Sequence, residues 1–340
     1  MSKTHPTLTI DLNHGAKVLE VPTGQTLLAA LKAQEVHLAS ACGGKGLCGF
    51  CKVKVLFGAP APGPVDKQKL SEDEITNGMR LACQMELSPG ADLAIEVAGT
   101  LLPARSYRAV VERIDPLTYD INHVRLRLVD PAAMTFEPGQ YIQLDRPASA
   151  ECPGVSRAYS MASRPSETDI VELMIRRVPN GMMSVWVHEC LAIGDEVSLT
   201  GPFGEFALSS RKLPMVWVAG GSGMSPFWSM VHHLREIGNT RKVYFFFGAV
   251  ALRDLFLVDE WRTLEAELDW LEFIPAISGG EENWDGERGL ITEVIARHLP
   301  EIPSPLEAYL CGSPGMCNAA CNVLTDNGVN ERMIFFDKFA

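Results

Sequence analysis

Three cysteines and four glycines crowd into fourteen positions, SACGGKGLCGFCKV at residues 40–53, and a fourth cysteine, Cys83, follows in RLACQMEL. Thiolate sulfur binds iron or zinc. A Cys-x5-Cys-x2-Cys run on a Gly-rich loop, joined by one distant Cys, can surround a compact metal group from both sides. The glycines let the backbone wrap closely and aim N–H groups at the sulfurs. Cys42, Cys48, Cys51 and Cys83 are therefore the candidate metal ligands. A four-cysteine zinc site or four unrelated thiols are the alternatives, although zinc sites usually pair their cysteines as two short knuckles.

A second constellation is RAYSMAS, residues 157–163, in which Arg157 and Ser160 bracket Tyr159. Along an extended strand these supply a cation for a phosphate, an aromatic face for a flat ring and a hydroxyl for a ring nitrogen. Farther on, Gly181 and Ser184 of NGMMS open an apolar helical run over Val185–Leu191, whose amino end suits a pyrophosphate. A third is MVWVAGGSGMSPFWSMV: a buried strand, a turn with Gly220, Gly221 and Gly223, then a helix with Pro226 in its first turn. That turn lacks the GxGxxG fingerprint but brings backbone N–H groups and a helix dipole to a pyrophosphate in the same way.

The elements that must position these groups fall into three stretches. TLTIDL and KVLEVP read as a hairpin around NHGA, and TGQTLLAALKAQE as a Thr-capped helix with apolar Leu27, Leu28 and Leu31. Past residue 100, GTLLPARS reads as a linker. YRAVVERI, HVRLRLV, QYIQL, VELMIRRV and EVSLTG then alternate with Gly/Pro turns, as in a small antiparallel barrel. KVYFFFGAV, WLEFIPAIS and LEAYLCGSPGMCNAACNVL add further strands and a helix to the nucleotide-type third.

Composition sets outer bounds. With 340 residues and 46% hydrophobic content the chain can bury two or three cores. Lys+Arg 30 against Asp+Glu 42 gives −12, which argues against general affinity for nucleic acid or anionic lipid. The amino end has neither signal- nor transit-peptide character, and no apolar run approaches the roughly 20 residues of a spanning helix. A cytoplasmic protein with no membrane span is expected. In a reducing compartment its nine cysteines read as ligands or free thiols. Cys152, Cys190, Cys317 and Cys321 show no ligand spacing.

The order strand, strand, helix, Cys loop, strand resembles a β-grasp ferredoxin, and the three-plus-one cysteine split resembles that of a [2Fe–2S] ferredoxin, with one residue more than the plant-type Cys-x4-Cys-x2-Cys spacing. RAYS with GMMS and GPFGEF resembles the flavin domain of the ferredoxin–NADP reductase superfamily. That resemblance implies FAD, with Arg157 near its phosphates, Tyr159 against the isoalloxazine and Ser160 near N5, and with Gly181, Met183 and Ser184 in the flavin-binding set. YLCGSPGM resembles the superfamily's element beside the nicotinamide, which brings in Cys311 and Gly312, with Ser313 where a proline is more usual. Phe339 in the terminal FFDKFA resembles the aromatic that lies over the flavin; a Phe closing the last strand against the core is the plainer account.

The resemblance covers essentially the whole chain. Its nearest forms are the flavoprotein subunit of sodium-translocating NADH:quinone reductases and the reductase components of diiron oxygenases. It implies a β-grasp ferredoxin domain (1–100), an antiparallel β-barrel FAD domain (104–208) and an α/β NAD domain (211–340), an α+β and α/β multidomain fold. Electrons are expected to pass from NADH to FAD to the [2Fe–2S] cluster and on to an acceptor protein, with an oxygenase favoured over a corrinoid protein, a quinone-reducing complex or a non-catalytic redox-sensing role. After YFFFGAV only Arg253 offers a cation for a 2′-phosphate, and Asp254 follows it, which favours NADH. Lys45, Lys52 and Lys54 form an acid-free basic stretch around the cluster loop, expected to steer an acidic partner or else to be a solvated strand face. A monomer outside its complex is expected.

Overall fold

Alternating apolar residues in TLTIDL and KVLEVP produce the antiparallel pair β1 (Thr7–Leu12) and β2 (Lys17–Pro22), with Ile10 opposite Leu19. The computed structural model describes residues 7–13, 17–34, 36–40, 42–58, 60–88, 92–97, 104–148, 154–280 and 283–339. Most of the NHGA turn and of the GTLLPARS segment, together with Cys152 and Ala340, lies outside the described residues. Among the described residues, contacts divide the chain into two compact units, one of 1–106 with 143–158 and 199–203, the other of 107–142, 159–198 and 204–340.

In the first unit Thr26 caps α1 (Leu27–Ala33) by accepting the Ala29 N–H at 3.3 Å. The helix buries Leu27, Ala30 and Leu31 against the sheet. The chain continues through β3 (Lys52–Phe57), α2 (Pro64–Lys69), α3 (Glu72–Thr76), β4 (Met79–Leu81) and β5 (Leu93–Glu96). Sheet order is β2-β1-β5-β3-β4, with β1 and β5 parallel, as a β-grasp requires. Buried Asp66 accepts the Gly63 N–H and the Leu81 N–H, each at 2.9 Å. It thereby ties α2 to the strand that leads into Cys83.

Six strands follow: β6 (Arg105–Pro116), β7 (Ile121–Asp130), β8 (Tyr141–Arg146), β9 (Val155–Ser160), β10 (Ile170–Arg176) and, after α4 (Met182–Glu189), β11 (Glu196–Phe203). They form one curled antiparallel sheet of order β10-β7-β6-β11-β8-β9. Two sequence expectations shift here. The supposed linker ends early, since Arg105 and Ser106 already pair in β6. The helix starts at Met182 rather than Val185 and stops at Glu189, because Asn180 takes a left-handed φ of 60° and turns the chain just before the Gly181 cap.

The last third has β12 (Met215–Gly220), α5 (Ser225–Glu236), β13 (Val243–Ala249), α6 (Val258–Glu267), β14 (Leu271–Ile277), β15 (Glu287–Arg288), α7 (Ile291–His298), β16 (Glu307–Gly312), α8 (Pro314–Asp326) and β17 (Ile334–Lys338). The sheet is parallel, in the order β15-β14-β13-β12-β16-β17. Near-continuous apolar strands are what burial on both faces demands. Trp217, Phe227, Phe245, Phe247, Trp261 and Phe273 fill one side, and Val218, Phe246, Ile295 and Leu310 the other. Strand order reverses between β12 and β16, and the carboxyl ends of strands at such a reversal are where open α/β sheets bind ligands.

Candidate redox centre

The cluster loop runs from Ser40 into β3, and Gly43, Gly44, Gly46 and Gly49 all take positive φ. Gly43 has no alternative: a Cβ there would lie 2.4 Å from the Ser156 carbonyl oxygen. The loop brings the thiols together as two pairs. Cys48 Sγ donates to Cys42 Sγ at 3.4 Å, and Cys51 and Cys83 are each other's strongest electrostatic neighbour. One thiol of each pair is stabilised as thiolate. The Cys48 thiol and the N–H groups of Cys48, Leu47 and Lys45 lower Cys42 to about 4. The Cys51 thiol, the Gln84 amide and the Gly46 N–H lower Cys83 to about 6. The other thiol of each pair, Cys48 and Cys51, is correspondingly raised, with burial adding to the shift.

Two facing pairs fit a binuclear iron group, each pair serving one iron, better than a single zinc. Among the described residues no three His, Cys, Asp or Glu side chains converge on one ion position. Sequence reasoning missed two supports of this loop. Gln143 of β8 donates to the Ser40 carbonyl at 2.9 Å, a buried bond. Arg157 of β9 donates to the Cys42 carbonyl at 3.2 Å and to the Ser156 carbonyl at 2.7 Å. Arg157 is thus turned toward the cluster loop in this structure.

Ser160, at the end of β9, is buried and donates to Asp337 Oδ2 at 2.8 Å. Asp337 sits in register opposite Cys311, so Ser160, Cys311 and Asp337 share one corner. Burial raises the Asp337 carboxyl above its ordinary range, the Ser160 bond opposing it, and burial pushes the Cys311 thiol well up. Cys311 is accordingly a neutral, fully buried group. Asp337 was not singled out from sequence; its signal was only an acid inside FFDKFA. Phe339 donates its N–H to the Gly312 carbonyl at 3.0 Å and packs against the core.

The other sequence-derived positions fall on two turns. Gly181 caps α4, Met183 is buried, and Ser184 Oγ accepts the Val178 N–H at 3.0 Å, closing the 178–184 turn. Gly220 ends β12, and Gly221 and Gly223 form a tight turn into α5. A Cβ on Gly223 would meet the Cys311 carbonyl oxygen at 2.3 Å, and one on Gly312 would meet Met316 Cε at 2.7 Å. These glycines let the carboxyl ends of β12 and β16 lie against each other. Ser313 caps α8, accepting the Met316 N–H at 3.3 Å, so the residue standing where a proline is usual still starts the helix. Cys317 is buried and Cys190 exposed.

Lys52 and Lys54 share an outward face of β3, but both are ion-paired, Lys52 to Glu74 at 2.5 Å and Lys54 to Glu96 at 3.4 Å. Beside the cluster loop, Leu47 and Phe50 are exposed apolar side chains.

Three family models match this chain in series: a 2Fe-2S iron–sulfur cluster binding domain over 10–88, an oxidoreductase FAD-binding domain over 108–208 and an oxidoreductase NAD-binding domain over 217–322. The chain belongs to the NAD(H)-dependent iron–sulfur flavoprotein reductases, oxidoreductases that use NADH, FAD and a [2Fe–2S] cluster. Among particular relatives, it is 35% identical over 336 residues to the reductase component of propane 2-monooxygenase from Rhodococcus jostii, covering 94% of this chain and 88% of that protein. It is 34% identical over 373 residues to a subunit of the Na(+)-translocating NADH-quinone reductase of Pseudomonas aeruginosa, covering 98% of this chain and 91% of that one. Among solved structures, an Amycolatopsis cytochrome P450 reductase superposes with a TM-score of 0.79 at 30% identity, over 98% of this chain and 99% of that one. The ferredoxin reductase of carbazole 1,9a-dioxygenase does so at 0.74 and 29%, over the whole of both. No helix among the described residues is long and apolar enough to cross a membrane.

Proposed function

We propose that this chain is the reductase component of a multicomponent oxygenase, taking electrons from NADH and delivering them through its cluster to a partner oxygenase protein. The observation that carries the reading is the two-by-two thiol pairing in a chain that also has an FAD-binding and an NAD-binding domain. When bound, FAD accepts a hydride from NADH and releases electrons singly to the [2Fe–2S] cluster, which can take only one at a time. The three functions map to modules at 1–100, 104–208 and 211–340.

Within this scheme Cys42, Cys48, Cys51 and Cys83 ligate the cluster. Tyr159 would lie against the flavin and Ser160 would bond it, with Gly181, Met183 and Ser184 in its binding surface, and Arg157 would have to leave the Cys42 carbonyl to reach a flavin phosphate. Asp337 holds the Ser160 hydroxyl in position through Oδ2. Gly220, Gly221, Gly223 and Gly312 shape the dinucleotide seat, with Cys311 as a neutral wall beside the nicotinamide. Arg176 belongs to the same seat, its Nη1 being 3.1 Å from where a Cβ on Gly221 would lie. Asp254, directly after the lone Arg253, supports NADH over NADPH, since a carboxylate there disfavours a 2′-phosphate. Phe339 would cover the flavin where the nicotinamide is to bind.

The acceptor docks at the cluster loop. Lys45, with the partly neutralised Lys52 and Lys54, supplies the charge, and Leu47 and Phe50 the apolar contact. The protein works in the cytoplasm as a monomer outside its complex. Its likeness to a component of the Na(+)-translocating NADH-quinone reductase supports a quinone-reducing complex as the second acceptor. Reconstitution tests the choice: with a purified oxygenase hydroxylase component, NADH consumption should become coupled to substrate hydroxylation. NADH consumption stimulated by quinone alone, with no hydroxylation, would overturn the oxygenase assignment.

A further inference from the structure

Two arginines meet on one exposed tyrosine. Tyr119, in the turn between β6 and β7, is 64% exposed, and the Arg253 guanidinium carbon lies 4.9 Å from its ring centroid. Arg176 lies within electrostatic reach of the same side chain. Asp120 anchors Arg176, with Nε to Oδ2 at 2.7 Å, and Arg176 Nη1 borders Gly221 in the turn after β12. The segment after β13 that carries Arg253 also holds Asp254, whose Oδ1 is shut away from solvent without a partner among the described residues. One corner of the second unit therefore combines an open aromatic face and two cations.

An isolated surface contact has no use for that combination, whereas an adenosine diphosphate group has a use for each part. A purine stacks on an aromatic ring, and an arginine over the same ring adds cation–π attraction. A pyrophosphate takes a guanidinium held in a fixed orientation by a carboxylate. We propose that Tyr119, held between Arg253 and Arg176, is the platform that binds the adenosine end of the dinucleotide, taking the adenine on its ring while Arg176 takes the pyrophosphate. This rests on the assignment of the Gly220–Gly223 turn as the dinucleotide seat and extends it to residues of the flavin-domain sheet.

Reduced nicotinamide mononucleotide provides the test, because it carries the reacting ring without the adenosine half. Flavin reduction in the holoenzyme is followed by stopped flow with NADH and with the mononucleotide. Tyr119→Ala should raise the NADH concentration for half-maximal rate about tenfold, as loss of one base stack does. The limiting rate and all constants for the mononucleotide should stay unchanged. Tyr119→Phe should remain near the parent, and Arg253→Ala should shift NADH in the same direction as Tyr119→Ala. Unchanged NADH saturation in Tyr119→Ala, an equal loss with the mononucleotide, or a lowered melting temperature alone would overturn the platform. Gly223→Val separates the underlying assumption, since its side chain collides with the Cys311 carbonyl. Full NADH oxidation in a folded Gly223→Val protein would refute the seat itself, whatever Tyr119 does.

Discussion

Asp337 lies in a place where a carboxylate is costly. It is buried beside Cys311 with the Ser160 hydroxyl as its hydrogen-bond donor, and its carboxyl is raised above the ordinary range by burial. A group whose folded pKa is raised favours the folded state while protonated, and that benefit is lost as pH rises through the folded value. Asp337→Asn keeps an oxygen for Ser160 and removes the charge. It should raise the melting temperature at neutral pH, with the gain vanishing in acid below the carboxyl range, and calorimetry across pH checks this. The same change should slow flavin reduction by NADH, as should Ser160→Ala, by about 10- to 100-fold, or about 1.4 to 2.7 kcal/mol. An unaltered reduction rate in both variants would remove the pair from the chemistry and leave it a structural contact.

Among the elements, β7 and β10 are joined by an ion network as well as by their ladder. Glu172 is buried, takes Arg125 Nη1 at 2.5 Å, and faces His123 Nε2 at 3.6 Å. Burial alone would raise its carboxyl, but His123 and Arg125 hold it down to about 2. A depressed carboxyl contributes stability that is fully present above the unfolded value and is lost as pH falls through the folded one. From 4.5 to about 2 that contribution is on the order of 3 kcal/mol. Glu172→Gln should therefore lower the melting temperature at pH 7, and the difference from the parent should shrink steadily below pH 4.5. A constant difference across pH would assign the loss to packing.

Elements are also where the sequence is most legible. Period-two alternation marks β1 and β2 to the residue, and Thr26 marks the start of α1, because both signals are local. The cysteine loop is legible for the same reason. The bonds that orient the site are not local: Ser160 meets Asp337 across 177 positions, Arg157 meets Cys42 across 115 and Gln143 meets Ser40 across 103. No spacing rule reaches that far. Resemblance placed Arg157 at a phosphate, and only the folded chain shows its guanidinium on a cluster-loop carbonyl. The basic stretch was legible as charge, but Glu74 and Glu96 come from α3 and β5, so the neutralisation of Lys52 and Lys54 was not.

At the scale of the whole molecule, docking and electron delivery make separate predictions. In the proposed docking, with Lys52 and Lys54 already paired, steering of an acidic partner would rest mainly on Lys45, so salt should slow acceptor reduction only moderately. Lys45→Glu should slow it further without touching flavin reduction by NADH. Stopped flow at rising ionic strength measures this, and a salt-independent rate that the variant leaves unaltered would place docking elsewhere.

The central claim is a linear path from NADH through FAD to the cluster, and Cys48→Ser tests it most directly. Cys48 is the donor to Cys42 in one thiol pair, so its loss would dismantle that half of the proposed cluster site while changing no residue of the FAD-binding or NAD-binding domain. The variant, purified and compared with the parent by visible spectrum, FAD content and NADH-driven reduction of ferricyanide and of a protein acceptor, should lose the iron–sulfur absorbance and reduction of the protein acceptor while keeping FAD and most ferricyanide reduction. A folded variant that has lost FAD, or one that still reduces the protein acceptor at the parent rate, would contradict the path.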